Sequence, residues 1–257
     1  MSVDAFIKKI ATEAGDHAWA RFGKDRKLYM KSNYSFDVVT KADLSTEKFI
    51  ISAIRKAYPI HGIIAEESGK ANEGAEYVWY IDPIDGTENF SRGIPLFAVM
   101  IALARRGRII LSAIYIPVNK ELFFAKAGKG AYLNGKRIHC STKKDFKRSH
   151  GFSQLQFRKP NTIFLKKLLA LKGMEHFGVA TYNCIGVNGC YTASGRRDWV
   201  AAPLGGIHDF PAPFLILKES GCVVTTLSGK PWTPGDIGFL AANPALHRQL
   251  LQFFKDA

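Results

Sequence analysis

One stretch of the sequence guides the interpretation of the rest: Trp79-Tyr80-Ile81-Asp82-Pro83-Ile84-Asp85-Gly86-Thr87-Glu88-Asn89-Phe90. An apolar run typical of a strand ends in Asp82, and a second carboxylate follows at Asp85. Carboxylates on a proline-stiffened turn can converge on one point, as a hard divalent cation requires. Gly86 lets the backbone bend, and the N–H groups of Gly86 and Thr87 would face a phosphate. The stretch favours metal-assisted phosphoryl transfer; the alternative is a β-turn at Asp85-Gly86 capped by Asp82.

The acidic residues are concentrated around this stretch. The chain carries 36 Lys and Arg against 22 Asp and Glu, a net charge of +14, yet ten of those 22 acids lie between residues 37 and 88. A second apolar run, Ile63-Ile64-Ala65, ends in Glu66-Glu67. Acids at the ends of adjacent strands can share a metal cluster, whereas the second run taken alone is typical of a surface turn.

Three segments, in order, resemble the inositol monophosphatase family of Mg²⁺-dependent, Li⁺-sensitive phosphatases. They are residues 37–47, residues 65–68 and residues 79–97. A looser fourth match begins at Asp209, so the resemblance covers residues 1–255. It implies an enzyme, a phosphoric monoester hydrolase, and an α+β fold with the layered αβαβα sugar-phosphatase architecture, in which two mixed or antiparallel sheets lie between helices.

The hydrophobic pattern by itself also predicts mixed α and β structure. It predicts helices at residues 3–22, 44–58, 160–171, 184–193, 210–220 and 244–254. It predicts strands at residues 62–65, 77–81, 97–104, 108–116, 121–125, 222–226 and 238–241. Asn134-Gly135 predicts a hairpin. We expect residues 1–145 to form an N-terminal α+β subdomain that carries the metal and phosphate motifs. Residues 146–257 would form a C-terminal α/β subdomain that supplies Asp209 and the substrate rim.

The family resemblance implies a set of metal ligands, namely Glu66, Asp82, the backbone carbonyl of Ile84, Asp85 and Asp209. Glu66, Asp82 and Ile84 would hold one Mg²⁺, while the three aspartates would hold a second. A third ion would lie near Glu66, held largely by water, so two to three ions are implied. Without the resemblance, Asp209 is a good helix N-cap.

The resemblance also implies the catalytic groups. Gly86 and Thr87 would supply N–H groups to the phosphate. Thr87 and Asp43, together with the metal ligand Glu66, would serve catalysis by orienting a metal-bound water and helping to deprotonate it. A metal lowers the pKa of its water and stabilises an in-line displacement, and no covalent intermediate is needed.

The sequence departs from the family pattern around Asp209. The family has Trp before this aspartate, where this chain has His208, and residues 201–207 contain none of the acids that commonly hold inositol hydroxyls. His208 is therefore assigned to the substrate rim, where loss of a carboxylate weakens recognition of a polyol. The expected substrate is a small alcohol monophosphate such as inositol, sugar or histidinol phosphate. The alternative is a bisphosphate, either fructose 1,6-bisphosphate or 3′-phosphoadenosine 5′-phosphate.

Composition limits the partners and the compartment. The longest apolar runs are about ten residues, too short to cross a bilayer, and the four cysteines form no C-x-x-C pair, so we expect a cytoplasmic protein without a membrane partner. The family resemblance implies a homodimer. The charge of +14 and the basic stretch 136–148 leave open a second alternative, a nucleic-acid-binding protein with a vestigial site. Against it, no recognised nucleic-acid motif is present.

Overall fold

Two β-sheets organise the protein, and a short two-stranded ribbon accompanies them. The computed structural model describes residues 1–24, 29–30, 38–153, 166–168 and 177–254. The large sheet has the strand order β10-β9-β8-β7-β6-β5-β3-β4 and the small sheet the order β12-β11-β13-β15-β14. Both sheets are mixed, because β3 pairs with β5 in parallel and β11 pairs in parallel with β12 and β13, while the other pairs are antiparallel.

The helices are α1 (Val3–Trp19), α2 (Lys41–Ala57), α3 (Thr87–Ser91), α4 (Ile185–Ala193), α5 (Pro211–Glu219) and α6 (Pro244–Phe254). The ribbon and the large sheet contain β1 (Tyr29–Met30), β2 (Val38–Val39), β3 (Gly62–Ala65), β4 (Gly69–Ala71), β5 (Tyr77–Asp85), β6 (Ala98–Arg105), β7 (Arg108–Ile116), β8 (Glu121–Lys126), β9 (Gly130–Leu133) and β10 (Lys136–Ile138). The small sheet contains β11 (His150–Ser153), β12 (Gly178–Ala180), β13 (Trp199–Ala202), β14 (Val223–Thr225) and β15 (Phe239–Ala242).

Alternating side chains on the strands separate the layers. On β5, Trp79 packs with α1 and α2 on one face of the large sheet, whereas Tyr80 belongs to the core formed with α4 and α5 on the other face. On β13, Val200 joins that same middle core, and Trp199 packs with α6 on the outer face of the small sheet. The period of two residues in a strand produces this division. The order helix, sheet, helix, sheet, helix confirms the predicted αβαβα architecture.

Most of the predicted elements are present, with shifted ends. Helix α2 begins at Lys41, three residues before the predicted start, because the Thr40 hydroxyl caps it and Asp43 completes a capping box. The predicted hairpin is β9–β10, with both Asn134 and Gly135 at positive φ. Six of the strands were not predicted, namely β1, β2, β4, β11, β12 and β13. Of the helix predicted at 160–171, residues 166–168 are helical and the rest lies outside the described residues, as does Asp37 of the first family segment.

Two expectations from composition can be compared with the structure. In the described part of the chain, none of the helices has both the length and the apolarity that a membrane span requires. Cys140, Cys184, Cys190 and Cys222 are all free thiols, and all but the half-buried Cys140 are buried.

Candidate active site

The end of strand β5 turns sharply into the short helix α3. The strand ladder shifts register between Asp82 and Asp85, and Gly86 follows with φ 96° and ψ 37°. A Cβ on Gly86 would lie 3.0 Å from the carbonyl oxygen of Leu96. Glycine is favoured here for two reasons, because L-residues disfavour this backbone conformation and because the backbone at Leu96 would have to shift to admit a Cβ.

Asp82 is the most crowded of the predicted metal ligands. Its side chain is 2% exposed, and its Oδ1 atom has no hydrogen-bond partner. Burial raises the pKa of Asp82 well above its usual range, and the nearby carboxylates of Glu66, Asp85 and Asp209 raise it further. The structure therefore brings the four predicted acidic ligands together, around a buried oxygen that lacks a partner.

Asp85 is held by the N-terminus of helix α4. Its carboxylate accepts hydrogen bonds from the N–H of Ile185 at 3.0 Å, the N–H of Gly186 at 2.6 Å and the thiol of Cys184 at 2.7 Å. Burial raises the pKa of Asp85 to about 7, and the carboxylate of Asp209 also raises it. The hydrogen bonds from the thiol and the two N–H groups lower the pKa. A carboxylate has about four lone-pair positions, so these bonds leave it able to bind a cation. Sequence reasoning missed this contact.

Asp43 and Thr87 are in direct contact, although 44 residues separate them. The Thr87 hydroxyl lies 2.9 Å from Asp43 Oδ1 and 3.0 Å from the carbonyl oxygen of Ile84, the predicted backbone ligand. Asp43 Oδ2 accepts from the N–H of Thr40 at 2.8 Å and from its hydroxyl at 2.5 Å. Burial raises the pKa of Asp43 to about 6, against these hydrogen bonds, which lower it.

Glu47 is a site residue to which the sequence analysis gave no role. This buried carboxylate accepts from the N–H of Glu67 and of Ser68, each at 2.8 Å. Both donors directly follow Glu66, whose own N–H donates to Ile81 of strand β5. Glu47 therefore fixes the turn that carries Glu66. The sequence offered one indication of this role, because Glu47 is the last residue of the first family segment, residues 37–47.

Asp209 lies on the loop between β13 and α5. The N-cap residue of α5 is Phe210, so Asp209 is not the helix cap that the sequence alone would suggest. Asp209 Oδ2 accepts from the N–H of Gly206 at 2.6 Å. The Nε2 atom of His208 lies 3.1 Å from Asp209 Oδ1 and 3.9 Å from Glu66 Oε1. His208, predicted at the substrate rim, thus lies against two predicted metal ligands.

The donor set fits a hard cation, although the side chains do not form a finished coordination shell. In the described ranges, no three His, Cys, Asp or Glu side chains are placed so that they could hold an ion as they stand. The carboxylates are still close enough that Glu66, Asp85 and Asp209 each raise the pKa of Asp82. The buried Oδ1 atom of Asp82 nevertheless lacks any partner, and buried polar atoms are normally satisfied. A cation among these oxygens would supply the missing interaction.

Comparisons with known proteins identify the family to which this chain belongs. A sequence model of the inositol monophosphatase family matches residues 1–257. The chain is 34% identical to a fructose-1,6-bisphosphatase/inositol-1-monophosphatase of Aquifex aeolicus, covering 97% of this chain and 94% of the relative. It is 32% identical to the Nus factor SuhB of Vibrio cholerae, covering 96% and 94%. The crystal structure of the extragenic suppressor protein suhB from Bartonella henselae superposes with a TM-score of 0.91 over 100% of both chains at 29% identity. The chain belongs to the inositol monophosphatase family, and this confirms the predicted fold and the predicted enzyme class, a phosphoric monoester hydrolase.

Proposed function

We propose that the protein is a Mg²⁺-dependent phosphatase that hydrolyses a small alcohol monophosphate by direct attack of water. The observation that carries this proposal is the unpartnered Oδ1 atom of Asp82, buried among Glu66, Asp85 and Asp209. The Gly86-Thr87 turn, the proposed phosphate-binding element, begins four residues after Asp82 in the chain. Acids from residues 1–145 and from residues 146–257 contribute, so the site would lie between the two proposed subdomains.

The proposed ion ligands are Glu66, Asp82, Asp85, Asp209 and the carbonyl of Ile84, which would hold two ions, with a third near Glu66. Bound Mg²⁺ would lower the pKa of a coordinated water and offset the charge of the phosphate. Asp82 would be shared between two ions. The N–H groups of Gly86 and Thr87 would hold a phosphate oxygen, because the left-handed conformation of Gly86 turns the backbone at this point.

Thr87 and Asp43 would position the attacking water and accept its proton. The Thr87 hydroxyl has one proton and two acceptors within reach, Asp43 Oδ1 and the carbonyl of Ile84. When Asp43 is ionised, above about pH 6, the hydroxyl donates to this carboxylate. The Thr87 oxygen then offers its lone pairs to the water. A general base with a pKa near the working pH is effective in this role.

The substrate class follows from the rim and from the relatives. The absence of acids in residues 201–207 argues against a site built specifically for the inositol ring. Sugar and histidinol phosphates therefore stand beside inositol phosphate. Relatives named fructose-1,6-bisphosphatase/inositol-1-monophosphatase support a bisphosphate as the alternative substrate. The family resemblance further supports a homodimer, located in the cytoplasm. Sedimentation of the purified protein tests the dimer.

A second candidate function is binding of a nucleic acid. The net charge of +14 favours it. A basic surface that contacts several phosphates gives binding that weakens steeply with salt. Titration of labelled RNA and duplex DNA at rising salt tests this function, and it fails if no binding persists at about physiological ionic strength.

The phosphatase proposal is tested by phosphate release from a panel of substrates. The panel contains inositol 1-phosphate, histidinol phosphate, fructose 1,6-bisphosphate and 3′-phosphoadenosine 5′-phosphate, each with Mg²⁺, with EDTA and with added Li⁺. We expect Mg²⁺-dependent release that is inhibited by Li⁺ and lost in Asp82→Asn. The matched control is Asp145→Asn, which removes an exposed carboxylate. Release that is unaffected by EDTA would contradict the proposal.

A further inference from the structure

Two cysteines lie together between the end of strand β10 and the end of helix α5. Cys140 follows β10, and its backbone N–H donates to the carbonyl of Ser220 at 3.0 Å. Cys222 lies two residues after Ser220, just before strand β14. The side chains of Cys140 and Cys222 share a hydrogen bond, and both thiols are free. The fold therefore brings two thiols from distant segments into contact, and the proposed phosphatase site uses neither of them.

The turn at the end of α5 fixes this contact. Gly221 has a φ of 101°, a conformation that favours glycine and ends the helix. A Cβ on Gly221 would lie 3.6 Å from Cys140 Sγ, so this sulfur packs against the turn. The N–H of Cys222 donates to the carbonyl of Leu217 at 3.1 Å. Backbone hydrogen bonds thus hold both cysteines in place, and a disulfide between them needs little movement of the chain.

The two thiols differ in exposure and in acidity. Cys140 is half-buried, whereas Cys222 is 6% exposed. The hydrogen bond from the Cys222 thiol lowers the pKa of Cys140, although burial acts in the opposite direction. The same hydrogen bond raises the pKa of Cys222 well above its usual range, and burial raises it further. An accessible, more acidic cysteine beside a second thiol is typical of redox-sensitive pairs.

We propose that Cys140 and Cys222 form an oxidation site that reacts with a hydroperoxide and yields a reversible disulfide. In the first step, the Cys140 sulfur takes one oxygen atom as the O–O bond breaks. Cys140 becomes a sulfenic acid, and the thiol proton leaves with the alcohol, or with water when the oxidant is hydrogen peroxide. In the second step, the Cys222 sulfur attacks the sulfenic sulfur, the S–O bond breaks, and water leaves with the Cys222 proton. The two thiols lose two electrons in total, and the hydroperoxide accepts both.

The disulfide would join the two proposed subdomains, because Cys140 belongs to residues 1–145 and Cys222 to residues 146–257. A bond that closes so long a loop restricts the unfolded chain and thereby stabilises the folded protein. It would also hold the end of α5 against the segment that follows β10. This helix begins two residues after Asp209. Exchange with a small thiol would reverse the bond.

The test treats the reduced, folded protein with hydrogen peroxide and counts its thiols after unfolding. We expect the count to fall from four to two, with a cross-linked peptide that contains Cys140 and Cys222, and a small dithiol should restore it. Cys222→Ser should stop at the sulfenic acid of Cys140, which dimedone labels, and Cys140→Ser should lose no thiol. Cys190→Ala is the control, because it removes a different buried thiol, and it should form the same cross-link as the wild type.

Thermal unfolding then measures what the bond does. Oxidation should raise the midpoint of the wild type by about 4 °C or more and leave that of Cys140→Ser unchanged. The inference is refuted if the thiol count stays at four, if the lost thiols belong to other cysteines, or if the bond joins two molecules. A Cys140–Cys222 bond without a rise in the midpoint would refute the stabilising link between the subdomains. None of these measurements depends on turnover, so their outcome is separate from that of the phosphatase proposal.

Discussion

Asp43 makes the stability of the metal-free protein depend on pH in a direction that can be measured. Its carboxyl group is fully buried, and burial raises its pKa from 3.8 to about 6. The folded protein therefore retains a proton that the unfolded chain has already released. For such a group the stabilisation is complete below the unfolded pKa and is lost as the pH rises through the folded pKa. The window lies between about pH 4 and pH 6.

The size of the effect follows from the two pKa values. Their difference corresponds to about 3 kcal/mol, at about 1.4 kcal/mol for each pH unit. Asp43→Asn removes the titrating group, whereas the hydrogen bonds that the amide loses from Thr40 or Thr87 cost the same at every pH. Histidines such as His247, whose pKa is lowered by burial, are present in both proteins, so their contribution cancels in the comparison.

The assay is urea unfolding of wild type and Asp43→Asn in EDTA, from about pH 4.5 to about pH 7.5. Over this range the wild type should lose about 2 kcal/mol of unfolding free energy relative to the variant. Asp145→Asn controls for the removal of one negative charge from a basic chain. A difference between wild type and Asp43→Asn that stays constant with pH, or that changes in the opposite direction, would refute the argument from burial.

Three further predictions test the site itself. Asp82→Asn should abolish turnover and the thermal stabilisation by Mg²⁺, yet leave the metal-free fold at least as stable, because an amide relieves the repulsion among buried carboxylates; normal turnover would contradict the metal assignment. Thr87→Ala should lower kcat about a hundredfold or more, whereas Thr87→Ser should retain most of the activity in steady-state kinetics, and equal losses would argue against a role for the hydroxyl. Glu47→Gln should raise the Mg²⁺ concentration for half-maximal activity by about tenfold, since an amide has one oxygen and can no longer accept from the N–H groups of both Glu67 and Ser68; an unchanged Mg²⁺ dependence would show that the turn does not need this carboxylate.

The parts of the site that lie close together in the sequence could be predicted from it. Asp82, Asp85 and Gly86 share one strand and its turn, so their proximity follows from local geometry. The family pattern supplied the distant partners Glu66 and Asp209, and the structure places both beside Asp82. Their roles as ligands stay predictions.

Other features depend on packing between distant segments, which no local pattern reports. The contact of Asp85 with the N-terminus of α4 spans about 100 residues. Strands β11 and β12 have four and three residues, too few for a clear alternation. The sequence also does not show that Gly206 lets the ring of His208 lie against the backbone beside Asp209. The assignment of His208 to the substrate rim stays a prediction.

The position of Asp85 is determined by how closely helix α4 can approach the large sheet. A Cβ on Gly186 would lie 2.6 Å from Met100 Sδ on strand β6 and 2.8 Å from Asp85 Oδ2, distances that real side chains do not adopt. On the next turn, a Cβ on Gly189 would lie 2.7 Å from Pro213 Cβ on α5. These glycines allow α4 to pack tightly against both the strand and its neighbouring helix. The middle layer therefore brings the donors that hold Asp85 within hydrogen-bond reach, and the geometry of the acidic cluster depends on packing between the two sheets as well as on the turn that carries the aspartates.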